Sequence, residues 1–128
     1  LTEGHYLTFE KDGKALQHKG HKLSLTNACN DHDGKDMRFV LWWQGKNPKD
    51  NAFYISTADK HDRKYIASSL ELTTKEKAAQ FSIADLGNGK GHVITEIDSG
   101  KQLSVEKDGC VALTKNASDA FKVFSVTF

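Results

Sequence analysis

One four-residue pattern is written three times along this chain, as Leu23-Ser24-Leu25-Thr26, Leu70-Glu71-Leu72-Thr73 and Val111-Ala112-Leu113-Thr114. Each copy sets apolar residues at alternate positions, the period of a half-buried strand. The same frame surrounds every copy. Lys14-Ala15-Leu16, Lys64-Tyr65-Ile66 and Lys101-Gln102-Leu103 precede it. Further upstream lie Tyr6-Leu7-Thr8, Tyr54-Ile55-Ser56 and Val93-Ile94-Thr95. Phe39-Val40-Leu41, Phe81-Ser82-Ile83 and Phe121-Lys122-Val123 follow. An internal repeat constrains the fold more than any other feature, because a unit this small cannot bury its own apolar face and must share a core with its copies.

The repeats run over residues 4–45, 51–87 and 91–128, with four short strands expected in each. Lys11-Asp12-Gly13 reads as the first turn, since Asp-Gly accepts positive φ. The segment from Leu25 to Phe39 spans 14 positions, against nine from Leu72 to Phe81 and eight from Leu113 to Phe121. Repeat one therefore carries an insertion. Residues 74–80 have room for one helical turn, and no segment carries a useful helical stripe. Twelve short strands in three groups need a closed or capped arrangement to protect their edges. Packing about a threefold axis brings Phe39, Phe81, Phe121 and the Leu-x-Leu pairs into one interior. The expected architecture is an all-β, three-lobed β-trefoil in a single domain over residues 1–128, six strands forming a barrel and three hairpins capping it.

Charge narrows the range of partners. Eighteen Lys and Arg against 17 Asp and Glu give a net charge of +1, without the basic footprint of a nucleic-acid binder. No apolar run reaches the ~20 residues of a membrane-spanning helix. Two cysteines, Cys29 and Cys110, are too few for a disulfide framework, and a bridge between them is open. The chain starts at Leu1, as a mature secreted protein or a piece of a longer one would. Asn116-Ala117-Ser118 is a glycosylation acceptor pattern.

The third repeat, with Gly91-His92-Val93-Ile94, Ser99-Gly100-Lys101-Gln102-Leu103-Ser104-Val105, Val111-Ala112-Leu113 and Phe121-Lys122-Val123, resembles a ricin-type lectin repeat. Gly4-His5-Tyr6-Leu7-Thr8 resembles the repeat starts of fascin and hisactophilin trefoils. The wording also resembles tail modules of fungal phospholipase C-type phosphoesterases. These likenesses cover nearly the whole chain and imply the trefoil fold, but fold alone does not give function. The ricin-type sugar site needs an acidic residue on the second strand, where Gln17, Ala67 and Ser104 stand. It also needs a Gln-x-Trp, and the aligned positions carry Phe39, Phe81 and Phe121. That galactose mechanism cannot be carried over.

The residues themselves offer other candidates. Alternation from Phe39 and Leu41 points Trp43 inward and Trp42 outward, where an indole can stack on the apolar face of a sugar. The plainer reading, that Trp42 covers the barrel end, carries more weight. Phe124 matches Trp42 in repeat three, and Ala84 does so in repeat two. His5, Phe53 and His92 share one position across the repeats and form a second set. Asp31 and Asp33 in the inserted loop are further candidate ligand contacts, a solvated loop being the favoured reading. Lys35 and the spacing of that loop argue against calcium there. The six histidines fall into no metal spacing and suggest at most a weak pH response. No nucleophile elbow or phosphate-cradling loop is present. The expectation is a secreted, non-catalytic lectin or carbohydrate-binding module without cofactor or metal. Its partner is a glycan or glycoprotein, with a second copy of the chain as a further candidate. The alternatives are a protease-inhibitor-like trefoil, with residues 45–51 and the inserted loop as its contact surface, or a cytoplasmic, actin-binding module of the fascin type.

Overall fold

A computed structural model of the chain describes residues 6–19, 22–27, 38–47, 49–59, 61–106, 110–115 and 119–126. Repeat one supplies β1 (Tyr6–Lys11), β2 (Lys14–Lys19), β3 (Lys22–Asn27) and β4 (Phe39–Trp43). Repeat two supplies β5 (Phe53–Thr57), β6 (Tyr65–Ile66), β7 (Leu72–Thr73) and β8 (Phe81–Asp85). Repeat three supplies β9 (His92–Glu96), β10 (Gln102–Val105), β11 (Val111–Thr114) and β12 (Lys122–Val126). The protein is all-β, one twelve-stranded antiparallel sheet with no α-helix among the described residues. The short stretch after β7 makes a single 3-10 turn, Lys75–Lys77.

Pairing follows each strand's place in the repeat, and the first strand of each also meets the second, at β1–β2, β5–β6 and β9–β10. The second and third strands pair with each other, as β2–β3, β6–β7 and β10–β11. The first and fourth strands pair among themselves, as β1–β4, β4–β5, β5–β8, β8–β9 and β12–β1. Beside β12, His92 and Phe121 exchange both backbone hydrogen bonds, at 2.7 and 2.8 Å. Phe81 stands opposite Phe53 as Phe121 stands opposite His92. These are the matching positions that the sequence repeat assigns.

Phe9, Phe39, Phe81 and Phe121 are each no more than 1% exposed. They share one core cluster with Leu7, Leu16, Leu23, Leu41, Ile55, Ile66, Ile83, Ile94 and Leu103. Residues from all three repeats enter it, because each contributes alternate apolar positions that no single repeat could cover. The Phe9 and Phe39 rings meet at 5.8 Å between centroids, in a tilted contact.

Repeat two departs from the sequence expectation at its hairpin. Leu70 does not open a four-residue strand; it adopts φ of 63° in the turn, with its side chain buried. Its N–H donates to Ala67 O at 2.8 Å, and β7 shrinks to Leu72–Thr73. Burial of the leucine side chain offsets a backbone conformation that a bulky residue avoids.

An ion pair ties repeat three to repeat one. Lys11 Nζ lies 2.8 Å from Asp119 Oδ1, while Asp119 Oδ2 accepts the Val105 N–H at 2.7 Å. The Lys11 contact chiefly, then the Val105 N–H, holds the Asp119 carboxyl below the usual carboxylate range. The stability this supplies is present above about pH 4 and is lost as pH falls through the depressed value. Urea denaturation across acid pH should show that loss, and Asp119→Asn should flatten it. Inside repeat three, Gly91 adopts φ +101°, and an added Cβ there would meet Phe121 O at 3.0 Å. Gly91→Ala should cost about 1–3 kcal/mol through strain at the His92–Phe121 junction, read as a lower urea midpoint at unchanged slope.

Candidate functional site

Outside the core, two groups of side chains are organised enough to recognise something. The first surrounds Trp42. In register, Trp42 faces Tyr54 and Ser56 faces Tyr65, so the four residues share one face of β4, β5 and β6. Trp42 Nε1 donates to Ser56 Oγ at 2.8 Å, and that hydroxyl donates to Thr57 O at 3.0 Å. The Tyr54 and Tyr65 rings meet edge-on at 6.1 Å. The Arg63 guanidinium lies 4.5 Å from the Trp42 ring centroid. Such a cation–π contact is worth about 0.5–1 kcal/mol at an exposed site and more when desolvated. Trp42 is therefore half-buried, with one ring face taken up by Arg63.

Alternation along β4 does not separate an inner from an outer face, because Phe39, Val40 and Leu41 are all buried. Trp43 is half-buried rather than core. Its Nε1 donates to Asp50 O at 2.9 Å, which brings Asp50 back against the indole. Gly45 permits this: a Cβ there would lie 2.7 Å from the Trp43 ring and 2.5 Å from Asp50 Cβ.

The second group forms a cleft of about 240 Å³ lined by Asp50, Asn51, Phe53, Ile83, Asp85 and His92. It opens where β5 and β8 separate beyond the Phe53–Phe81 pair. Asn51 bridges the gap with its side chain: Nδ2 donates to Ile83 O at 2.7 Å and Oδ1 accepts the Ile83 N–H at 2.9 Å. The carboxamide thus takes the place of a strand backbone. Asp50 Oδ2 accepts the Lys46 N–H at 2.8 Å and the Asn47 N–H at 3.0 Å. The Asn47 bond first, then the Lys46 bond, keeps this carboxyl below its ordinary range. Asp85 Oδ1 accepts the Gly87 N–H at 2.8 Å, and its Oδ2 lies 3.9 Å from His92 Nε2. His92 Nδ1 is buried with no hydrogen-bond partner among the described residues.

The structure thus brings His92 and Phe53, matched residues of successive repeats, into one cleft, with Trp42 in a separate aromatic group. His5, Asp31 and Asp33 lie outside the described residues, as do Cys29 and Asn116-Ala117-Ser118. Phe124 stands opposite Thr8 in the β12–β1 pairing. Asp85 escaped the sequence reading. Its signal was position, since it faces His92 across β8 and β9. Among the described residues no group of three His, Cys, Asp or Glu could hold a metal ion, and no helix is long and apolar enough to cross a membrane. Compared with known proteins, the chain matches no family model and no curated sequence.

Ser56→Ala would strand the half-buried Trp42 N–H. An unsatisfied donor of this kind costs about 1–3 kcal/mol, so urea unfolding followed by tryptophan fluorescence should show a loss in that range.

Proposed function

We propose that the chain is a β-trefoil that binds carbohydrate without catalysis, and that the cleft of Phe53, Asp85 and His92 is its sugar site. The trefoil reading is supported by the circuit of first and fourth strands. It runs from β1 through β4, β5, β8 and β9 to Phe121 and β12, and returns to β1. It is supported also by the three internal hairpins, and by the burial of Phe39, Phe81 and Phe121 in one core cluster.

The observation that carries the binding reading is an aromatic side chain beside two carboxylates in one concave site. A pyranose ring has an apolar C–H face and a rim of hydroxyl donors. Phe53 suits the face, and the carboxylate oxygens of Asp50 and Asp85 suit the rim. The volume falls below the ~300–1,000 Å³ of drug-sized sites, which fits a single sugar ring rather than an extended chain. The half-buried Trp42 is a second candidate platform. Secretion, and any role as an accessory module of a larger enzyme, belong to the same proposal.

A glycan array followed by titration of the strongest ligand tests it. Phe53→Leu keeps the apolar volume and removes the ring. It should weaken binding by about tenfold, the ~1.4 kcal/mol scale of an aromatic contact. Asp85→Asn should weaken binding as well. Loss of binding in Trp42→Ala, with both cleft variants intact, would move the site to the β4 face. Absence of binding to any glycan would overturn the function.

A further inference from the structure

We infer that the cleft selects a sugar carrying a free, protonated amine, a glucosamine-type ring, over its neutral counterparts. The inference rests on the carbohydrate reading above and adds the chemistry of the ligand to it.

The argument turns on which polar atoms the cleft leaves open. Both heteroatoms of the Asn51 carboxamide are engaged by the Ile83 backbone. Asp50 anchors Oδ2 on two backbone N–H groups, and Asp85 anchors Oδ1 on a third. Each carboxylate is thus held in place by one oxygen and presents the other, Asp50 Oδ1 and Asp85 Oδ2. Among the described residues no Lys or Arg lines the cleft. The open polar atoms are therefore carboxylate acceptors on two negative charges, with the His92 imidazole beside one of them. A neutral sugar rim offers donors and acceptors alike, and its acceptors find no cationic partner here. An ammonium group offers three donors and a positive charge. Phe53 adds an aromatic wall, which favours an adjacent cation as well as an apolar ring face. Asp50 and Asp85 are exposed, the Asp85 side chain at 69%, so screening limits the gain and makes it sensitive to salt.

The test compares two ligands of the same ring and length, a glucosamine oligomer and an N-acetylglucosamine oligomer. Each is titrated calorimetrically into the intact chain in low-salt buffer near neutral pH, where a sugar amine still carries its proton and an imidazole beside Asp85 adds little competing positive charge. The free-amine oligomer should bind about tenfold more tightly, and raised salt should erode the difference. Asp85→Asn keeps an amide oxygen for the Gly87 N–H while removing the charge, so it should fold normally and lose most of the preference. Equal or tighter binding of the acetylated oligomer would overturn the inference and leave the carbohydrate reading standing. A preference that survives both Asp85→Asn and Asp50→Asn would overturn it too, since the charge would then lie elsewhere. Oligolysine binding as tightly as the glucosamine oligomer would overturn it by showing selection for any cation. Failure of both oligomers and of every glycan on the array would instead sink the carbohydrate reading itself.

Discussion

Four phenylalanine rings, from Phe9, Phe39, Phe81 and Phe121, sit almost wholly out of water, and the ladder of first and fourth strands is arranged around them. Large rings of this kind each bury ~150–250 Å². No pair of β-strands covers that area alone, so every repeat depends on the other two for its interior. The outer features follow from this. The hairpins are free to differ in length, and β6 and β7 do so. The functional groups are confined to strand ends and connections, where the interior makes no demand.

The two candidate sites show how differently polar and aromatic residues are used at those margins. Around Trp42 the indole N–H is bound to the Ser56 hydroxyl, and the ring lies against the Arg63 guanidinium. In the cleft, by contrast, the backbone holds each carboxylate by one oxygen and leaves the second free of backbone, that of Asp85 standing 3.9 Å from His92 Nε2. The first pattern rigidifies a packed surface. The second is the preorganisation a ligand site needs, because the groups are ordered before any partner arrives.

Much of the fold was legible because burial has a period. The twelve short strands in three groups and the buried positions of Phe39, Phe81 and Phe121 follow from alternation and spacing. The site was less so. Alternation placed Trp42 outward and Trp43 inward, yet Val40 is as buried as its neighbours and both indoles are half-covered. Pattern along one strand cannot show that Arg63 lies over Trp42, or that Asp50 comes back onto Trp43 beside Gly45. The matched positions of Phe53 and His92 were visible in the repeat. Their meeting with Asp50 and Asp85 was not, because it depends on where β5 and β8 part, and sequence separation conceals that.

The parting itself is controlled by a side chain. Asn51 holds the Ile83 backbone with its carboxamide, where an ordinary ladder would use main-chain groups at a fixed spacing. Main-chain spacing is the same in every protein, whereas a side chain can be exchanged. A single codon therefore sets the width of the mouth while the interior stays untouched, which gives this architecture an inexpensive route to new ligand sizes.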